Sequence, residues 1–218
     1  MSAQAGAAEG TRERVSLREE LGAGAPPEFT IAVPRGWERV PVDEGGRAQL
    51  EQRLSGRMMQ VGRLDLMIEL RRMLRENLSV MAEHGAIALF MPLDPGGLGQ
   101  TGAPTSITAY LRKGEPGAEL DDYARQVIQR FGAAPLYGDL RTLRFETEST
   151  RDVDDTPVVL STTHYLTPMP GSRRKRAVEL LATYGRPESM PRDDERVEGL
   201  HVLFDVCASS LRWAGARA

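Results

Sequence analysis

Residues 140–184 hold three segments of strand character, each separated from the next by a sequence that turns the chain sharply. In Leu140–Ser149, Leu143 and Phe145 alternate with Arg144 and Glu146, the period of two that sends successive side chains to opposite faces of a strand. Pro157–Thr167 and Ala177–Tyr184 follow it. The run Asp152-Val153-Asp154-Asp155 joins the first two segments, and Pro170-Gly171-Ser172 joins the second to the third. Connections this short favour an antiparallel meander, and the rest of the chain must fold around it.

Upstream, Ala86–Met91 is a short apolar run bounded by Gly and Pro, and Thr105–Arg112 is a second strand candidate. Leu120, Tyr123, Ala124, Val127 and Phe131 mark a helix that Gly132 closes. Arg47–His84 is helical in period. Leu50, Leu54, Met58 and Val61 recur before Gly62; Met67, Leu70, Leu74, Leu78 and Met81 recur after Asp65, a plausible cap. One helix and a hairpin both satisfy this pattern. The hairpin is favoured, since Gly56 and Gly62 each cost a continuous helix about 1 kcal/mol relative to Ala.

The two ends look complementary. Phe29, Ile31 and Val33 alternate in a strand that stops at Pro34-Arg35-Gly36 and then presents Trp37. A helix expected from about Asp193 carries Val197, Leu200, Phe204, Cys207 and Leu211 on one face and closes with Ser210-Leu211-Arg212-Trp213. These segments are expected to pack into one core. Residues 1–27 read as a flexible arm ending in Gly22-Ala23-Gly24-Ala25-Pro26-Pro27, and 28–218 as a single domain with a helical insertion at about 47–84. The fold class expected is α+β, an antiparallel sheet with helices packed on it.

Composition narrows function mainly by exclusion. A formal charge of -3 supplies no global field for gathering nucleic acid. The single cysteine, Cys207, rules out an internal disulfide and any multi-cysteine metal site, and its place on an apolar helix face marks a buried thiol. Met1–Gly10 has no apolar run of the signal-peptide kind, and no stretch is long enough to span a bilayer; a cytoplasmic location is expected.

A strand entering Pro34-Arg35-Gly36-Trp37, a central antiparallel meander and a terminal helix ending Ser210-Leu211-Arg212-Trp213 together resemble the PsbP-like fold. That fold is shared by the photosystem PsbP subunit, Ran-binding Mog proteins and actinobacterial lipoproteins of the LpqN type. The resemblance implies an α/β/α sandwich from about Phe29 to Trp213, with the last helix back against the sheet, and a binding or accessory role. The 47–84 segment is longer than the family's connection there, and no lipobox cysteine precedes the domain. The matched positions define the fold, so no binding residue carries over.

Candidate chemistry is sparse. Gly97-Leu98-Gly99-Gln100-Thr101-Gly102 has the spacing of a dinucleotide loop but leads through Ala103-Pro104 into a strand, so no helix N-terminus faces a phosphate. Asp152, Asp154 and Asp155 lack the glycine and distal glutamate of a calcium loop. His84 falls in the last turn of a helix, and His201 stands four residues from Asp205, an ordinary helical neighbour pair. His164 shares the strand parity of Val158, Leu160, Thr162 and Leu166; it is a hydrogen-bonded core residue if that face is buried, and a titrating group if it lines a cleft. No nucleophile-elbow sequence surrounds Ser161 or Ser210. Neither catalytic residues nor a cofactor are expected.

Two surfaces remain. Arg173-Arg174-Lys175-Arg176 sits at a hairpin tip, placed to touch phosphates, an acidic protein or anionic lipid. The helical insertion carries Met58, Met59, Met67, Met73 and Met81, adaptable side chains suited to irregular surfaces, with Arg71, Arg72 and Arg75 beside them. The function expected is therefore a non-enzymatic interaction or scaffold domain, binding another protein or a second copy through the insertion. The alternative is a carrier of a small hydrophobic ligand or lipid, with a cavity between the sheet and the methionine-bearing helices; an enzyme is the weakest reading.

Overall fold

A computed structural model of the chain describes residues 28–60, 65–93, 104–113, 120–153 and 156–214. The expected arm, the Gly97–Gly102 loop, Gly62, Asp154 and Asp155 lie outside these residues. Within them the chain is α+β. Seven antiparallel strands are ordered β2-β3-β4-β8-β7-β6-β5: β2 (Trp37–Pro41), β3 (Ala86–Pro92), β4 (Thr105–Lys113), β5 (Ala134–Leu136), β6 (Asp139–Val153), β7 (Thr156–Pro168) and β8 (Arg176–Pro187). β1 (Phe29–Thr30) and β9 (Arg212–Trp213) form a separate two-stranded pair. The helices are α1 (Glu44–Gln60), α2 (Asp65–Glu83), α3 (Leu120–Phe131) and α4 (Glu195–Ser209).

The meander is β6-β7-β8, with Thr147 opposite Thr162 and Thr162 opposite Thr183. Alternation along these strands divides the core into two faces. Val178, Leu180, Ala182 and Tyr184 point one way with Ile107, Ala109 and Phe90, and meet Val197, Leu200, Phe204 and Cys207 of α4. The opposite face is covered at one end by α1 and α2, where Val40 and Leu89 meet Leu50, Leu74, Leu78 and Met81. At the other end α3 sets Leu120, Tyr123 and Val127 over Leu143, Phe145, Leu166 and Ala177. The layers are thus helix, sheet, helix.

α1 and α2 are two helices that pack against each other. Arg71 of α2 donates to the buried Ser55 hydroxyl of α1 at 2.9 Å, and Leu50 shares a cluster with Leu78, which sets the pair antiparallel. α1 starts where Asp43 accepts from the Gly46 amide at 2.9 Å. α4 starts at Asp194, whose side chain accepts from the Arg196 amide, and ends at Ser210.

The ends meet, with two differences from expectation. The first strand shrinks to Phe29–Thr30 and pairs with β9 instead of the main sheet, because Trp37 opens its own strand, β2. That strand escapes a periodicity reading: its two buried residues, Trp37 and Val40, face opposite sides of the sheet, and charged Glu38 and Arg39 lie between them. Trp213 is not helical. The chain leaves α4 at Ser210 and extends, so that Phe29 and Trp213 are register partners with rings 6.0 Å apart. The Ala32 amide donates to the Ser210 hydroxyl at 2.7 Å and the Ala214 amide to the Glu28 carbonyl at 2.7 Å, closing the clasp.

Candidate functional site

The turn between β7 and β8 positions the first component. Gly171 (φ 72°), Arg173 (φ 51°) and Arg174 (φ 61°) all take left-handed backbone, unfavourable for the two arginines by sterics at Cβ. Ser172 holds the turn in this shape. Its hydroxyl lies 2.8 Å from the Met169 carbonyl and 3.1 Å from that of Arg176, and its amide donates to the Met169 carbonyl. Arg174 is thereby directed toward α3, where it meets Asp121 of the first helical turn at 3.2 Å.

Beneath that ion pair lies a cavity of about 540 Å3, within the range of roughly 300–1,000 Å3 usual for small-molecule sites. Its wall is largely apolar: Leu120 and Ala124 from α3, Leu140 and Leu143 from β6, Leu166 from β7, and Trp213 from the terminal clasp. Leu140 is 85% exposed, a large apolar side chain left to solvent at the mouth. Apart from the Arg174–Asp121 pair, polar order centres on Thr167 and Arg141. Buried Thr167 and Thr142 bring their hydroxyls within 2.9 Å, Thr142 reaches Asp139 at 3.3 Å, and Asp139 accepts from the Arg141 guanidinium at 2.9 and 3.2 Å. Those bonds hold the Asp139 carboxyl below the usual carboxylate range.

On the far side of Leu166 and Tyr123 lies a polar array that the sheet register assembles. Glu179 of β8 is fully buried. Its carboxylate accepts from Arg112 of β4, from Tyr123 of α3 at 3.3 Å, and pairs with His164 Nδ1 of β7 at 2.9 Å. His164 Nε2 lies 3.0 Å from Thr147 Oγ1 of β6, and its ring stacks on Phe145 at 4.3 Å. Burial pushes the Glu179 carboxyl up, but the His164 hydrogen bond and the Arg112 charge outweigh it and hold it low. Burial and the same carboxylate push the Tyr123 phenol up to about 12. The order Thr-His-Glu matches a hydrolytic relay. However, backbone N–H groups of a strand lie in the plane of the sheet, so those flanking Thr147 point along the ladder and not toward a carbonyl held over its hydroxyl.

The other sequence candidates scatter. Arg173 and Lys175 are exposed at the turn, and Arg176 opens β8. Arg71 is held in the α1–α2 interface by Ser55, and Arg72 pairs with both Glu69 and Glu76, so these do not present one basic face; Arg75 is exposed and lines a mixed hollow with Val42, Asp43, Arg47 and Leu78. Met81 packs on the sheet, while Met59 and Met73 are exposed, so these three do not line one space; the Met58 side chain lies outside the described residues. The cavity described above lies under α3; between the sheet and the methionine-bearing helices, Leu50, Leu74 and Leu78 pack on Val40 and Leu89. His84 is exposed, with Nδ1 2.7 Å from the Val80 carbonyl. His201 meets Tyr184 Oη at 3.2 Å and Glu146 at 3.7 Å, because Asp205 is taken by Tyr165 at 2.5 Å and Arg144 at 2.8 Å. Ser161 donates to Glu148 at 2.9 Å, and Ser210 caps α4. Cys207 is buried, which raises its thiol to about 11. Among the described residues no cluster of three or more His, Cys, Asp or Glu is arranged to hold a metal ion, and no helix is long and apolar enough to cross a membrane.

Sequence reasoning missed Glu179, Arg112 and the cavity wall. A signal for Glu179 was present: a lone carboxylate inside Ala177-Val178-Glu179-Leu180-Leu181-Ala182 stands where only a partnered charge is tolerated. The wall offers no such signal, since its residues come from α3, β6, β7 and β9.

No protein-family model matches the chain, and no curated protein matches it. Among solved structures it is similar to LpqN, described as involved in cell envelope biogenesis of Mycobacterium tuberculosis, with a TM-score of 0.41 and 10% identity over 86% of this chain and 85% of that one. A likeness at that level carries no functional argument.

Proposed function

We propose that the protein is a non-catalytic, accessory binder of a small, largely apolar ligand, held between α3, the β6–β7 strands and the terminal clasp. The observation that carries this reading is the cavity of about 540 Å3 walled by Leu120, Ala124, Leu143, Leu166 and Trp213, with Leu140 left exposed at its mouth. Apolar surface gains free energy when it leaves water, at about 25 cal/mol per Å2, so a largely apolar concavity favours an apolar occupant. The in-plane amides around Thr147 support binding over acyl chemistry. The engagement of Arg71 and Arg72 by neighbours supports the cavity over a protein partner docked on the α1–α2 pair.

Calorimetric titration with 1-decanol tests this. The wild type should saturate at one equivalent. Ala124→Phe, which fills the cavity from α3, and Leu140→Glu, which makes its mouth acidic at an exposed position, should both lose binding with urea midpoints unchanged. Non-saturable uptake by the wild type, or equal binding by both variants, would overturn the proposal.

A further inference from the structure

Building on the ligand-binding reading, we infer that the ligand carries a carboxylate head, read by Arg174 in exchange for Asp121. Arg174 and Asp121 are both cavity-lining residues, so their ion pair spans the mouth from the β7–β8 turn to α3. The two cations there are held differently. Arg141 is engaged twice by Asp139, whose side chain is only 14% exposed. Arg174 makes one contact of 3.2 Å to Asp121, with side chains 73% and 42% exposed. Exposed single-contact ion pairs contribute little to stability, so this one exchanges readily.

The resident partner shows what the guanidinium accepts. Asp121 is a carboxylate at the edge of an apolar cavity, and a planar guanidinium suits a ligand carboxylate equally well. A tail lying along Leu120, Leu143 and Leu166 would bring its head to the mouth that Arg174 spans. Charge favours an anion there. Among the residues that line this mouth, Arg141 and Arg174 stand against Asp121, a surplus of one positive charge. The left-handed backbone at Arg173 and Arg174 adds an independent point: two residues hold an unfavoured conformation, and the result is Arg174 over the cavity.

Paired titrations with decanoate and 1-decanol, which share a chain and differ in head group, test the exchange. Wild type should bind decanoate about tenfold more tightly than decanol, and the gap should shrink with added salt. Arg174→Gln should abolish the gap by weakening decanoate relative to decanol, and saturable decanol binding by the same variant reports an intact cavity. Asp121→Asn removes the competing carboxylate and should widen the gap about fivefold. Equal binding of acid and alcohol by the wild type would overturn the inference and leave the cavity reading standing; failure of both ligands would overturn the cavity reading itself. A gap that survives Arg174→Gln, or one that Asp121→Asn fails to widen, would place the anion elsewhere.

Discussion

Replacing Glu179 tests whether the buried array holds β4, β7, β8 and α3 together or is merely tolerated by them. The carboxylate is 0% exposed and serves Arg112, His164 and Tyr123 with two oxygens. In Glu179→Gln one oxygen remains. If it faces His164 and Tyr123, the new NH2 abuts the Arg112 guanidinium; if it faces Arg112, His164 must shift its proton to Nε2 and accept at Nδ1, which Thr147 Oγ1 allows by acting as acceptor. The imidazole therefore absorbs part of the damage, and the loss should be about 2 kcal/mol, one charge-assisted bond. Glu179→Leu allows no such adjustment. It strands His164 Nδ1 and the Tyr123 hydroxyl and turns Arg112, whose side chain is 36% exposed, toward water; breaking a buried pair in this way costs about 3–5 kcal/mol.

The pH dependence has a definite sign. Because the carboxyl is held lower in the fold than in the unfolded chain, its contribution is complete above about pH 5 and drains as pH falls through its native value. Urea unfolding followed by circular dichroism should show the wild-type advantage over Glu179→Gln shrinking steadily below that pH. If Glu179→Leu is as stable as the wild type, desolvation of the carboxylate exceeds what its partners return, and the claim that the array binds the layers is refuted.

Gly46→Ala should destabilise by about 3 kcal/mol, because a Cβ there lies 1.8 Å from the Pro41 carbonyl oxygen and α1 must lift off β2; Gly45→Ala, whose Cβ meets only the Asp43 carboxylate at 3.3 Å, should be nearly neutral in the same urea titration. Cys207, with its thiol raised to about 11 by burial, should resist a disulfide reagent at about pH 8 in the native protein and react at once in urea; rapid native labelling would contradict the packing of α4.

The sequence made the meander legible because β6, β7 and β8 carry their own periodicity and are joined by short turns, so each local choice agrees with the global one. α3 and α4 were legible for the same reason, with their apolar stripes intact. β2, β5 and β9 were not. At five, three and two residues they are too short for a period, and partners fix them: β3 holds β2, β6 holds β5 and β1 holds β9. The candidate site divides along the same line. Arg174 was visible within a run of four basic residues, but what it faces depends on the left-handed turn and on Asp121, 53 residues away. His164 left two readings open, and its environment combines them: it is hydrogen-bonded at both ring nitrogens, yet its side chain keeps 14% exposure.

The clasp at the ends has a mechanical consequence. Residues 28 and 214 leave the β1–β9 pair side by side, since the chain enters before Phe29 and exits after its register partner Trp213. A load applied through them acts across the hydrogen bonds one after another, a peeling geometry in which each bond bears the force alone. The pair is two residues long, so it is a fuse that parts before tension reaches the seven-stranded sheet. Trp213 is also a wall of the cavity under α3, and so the first thing a pull on the ends would open is that cavity.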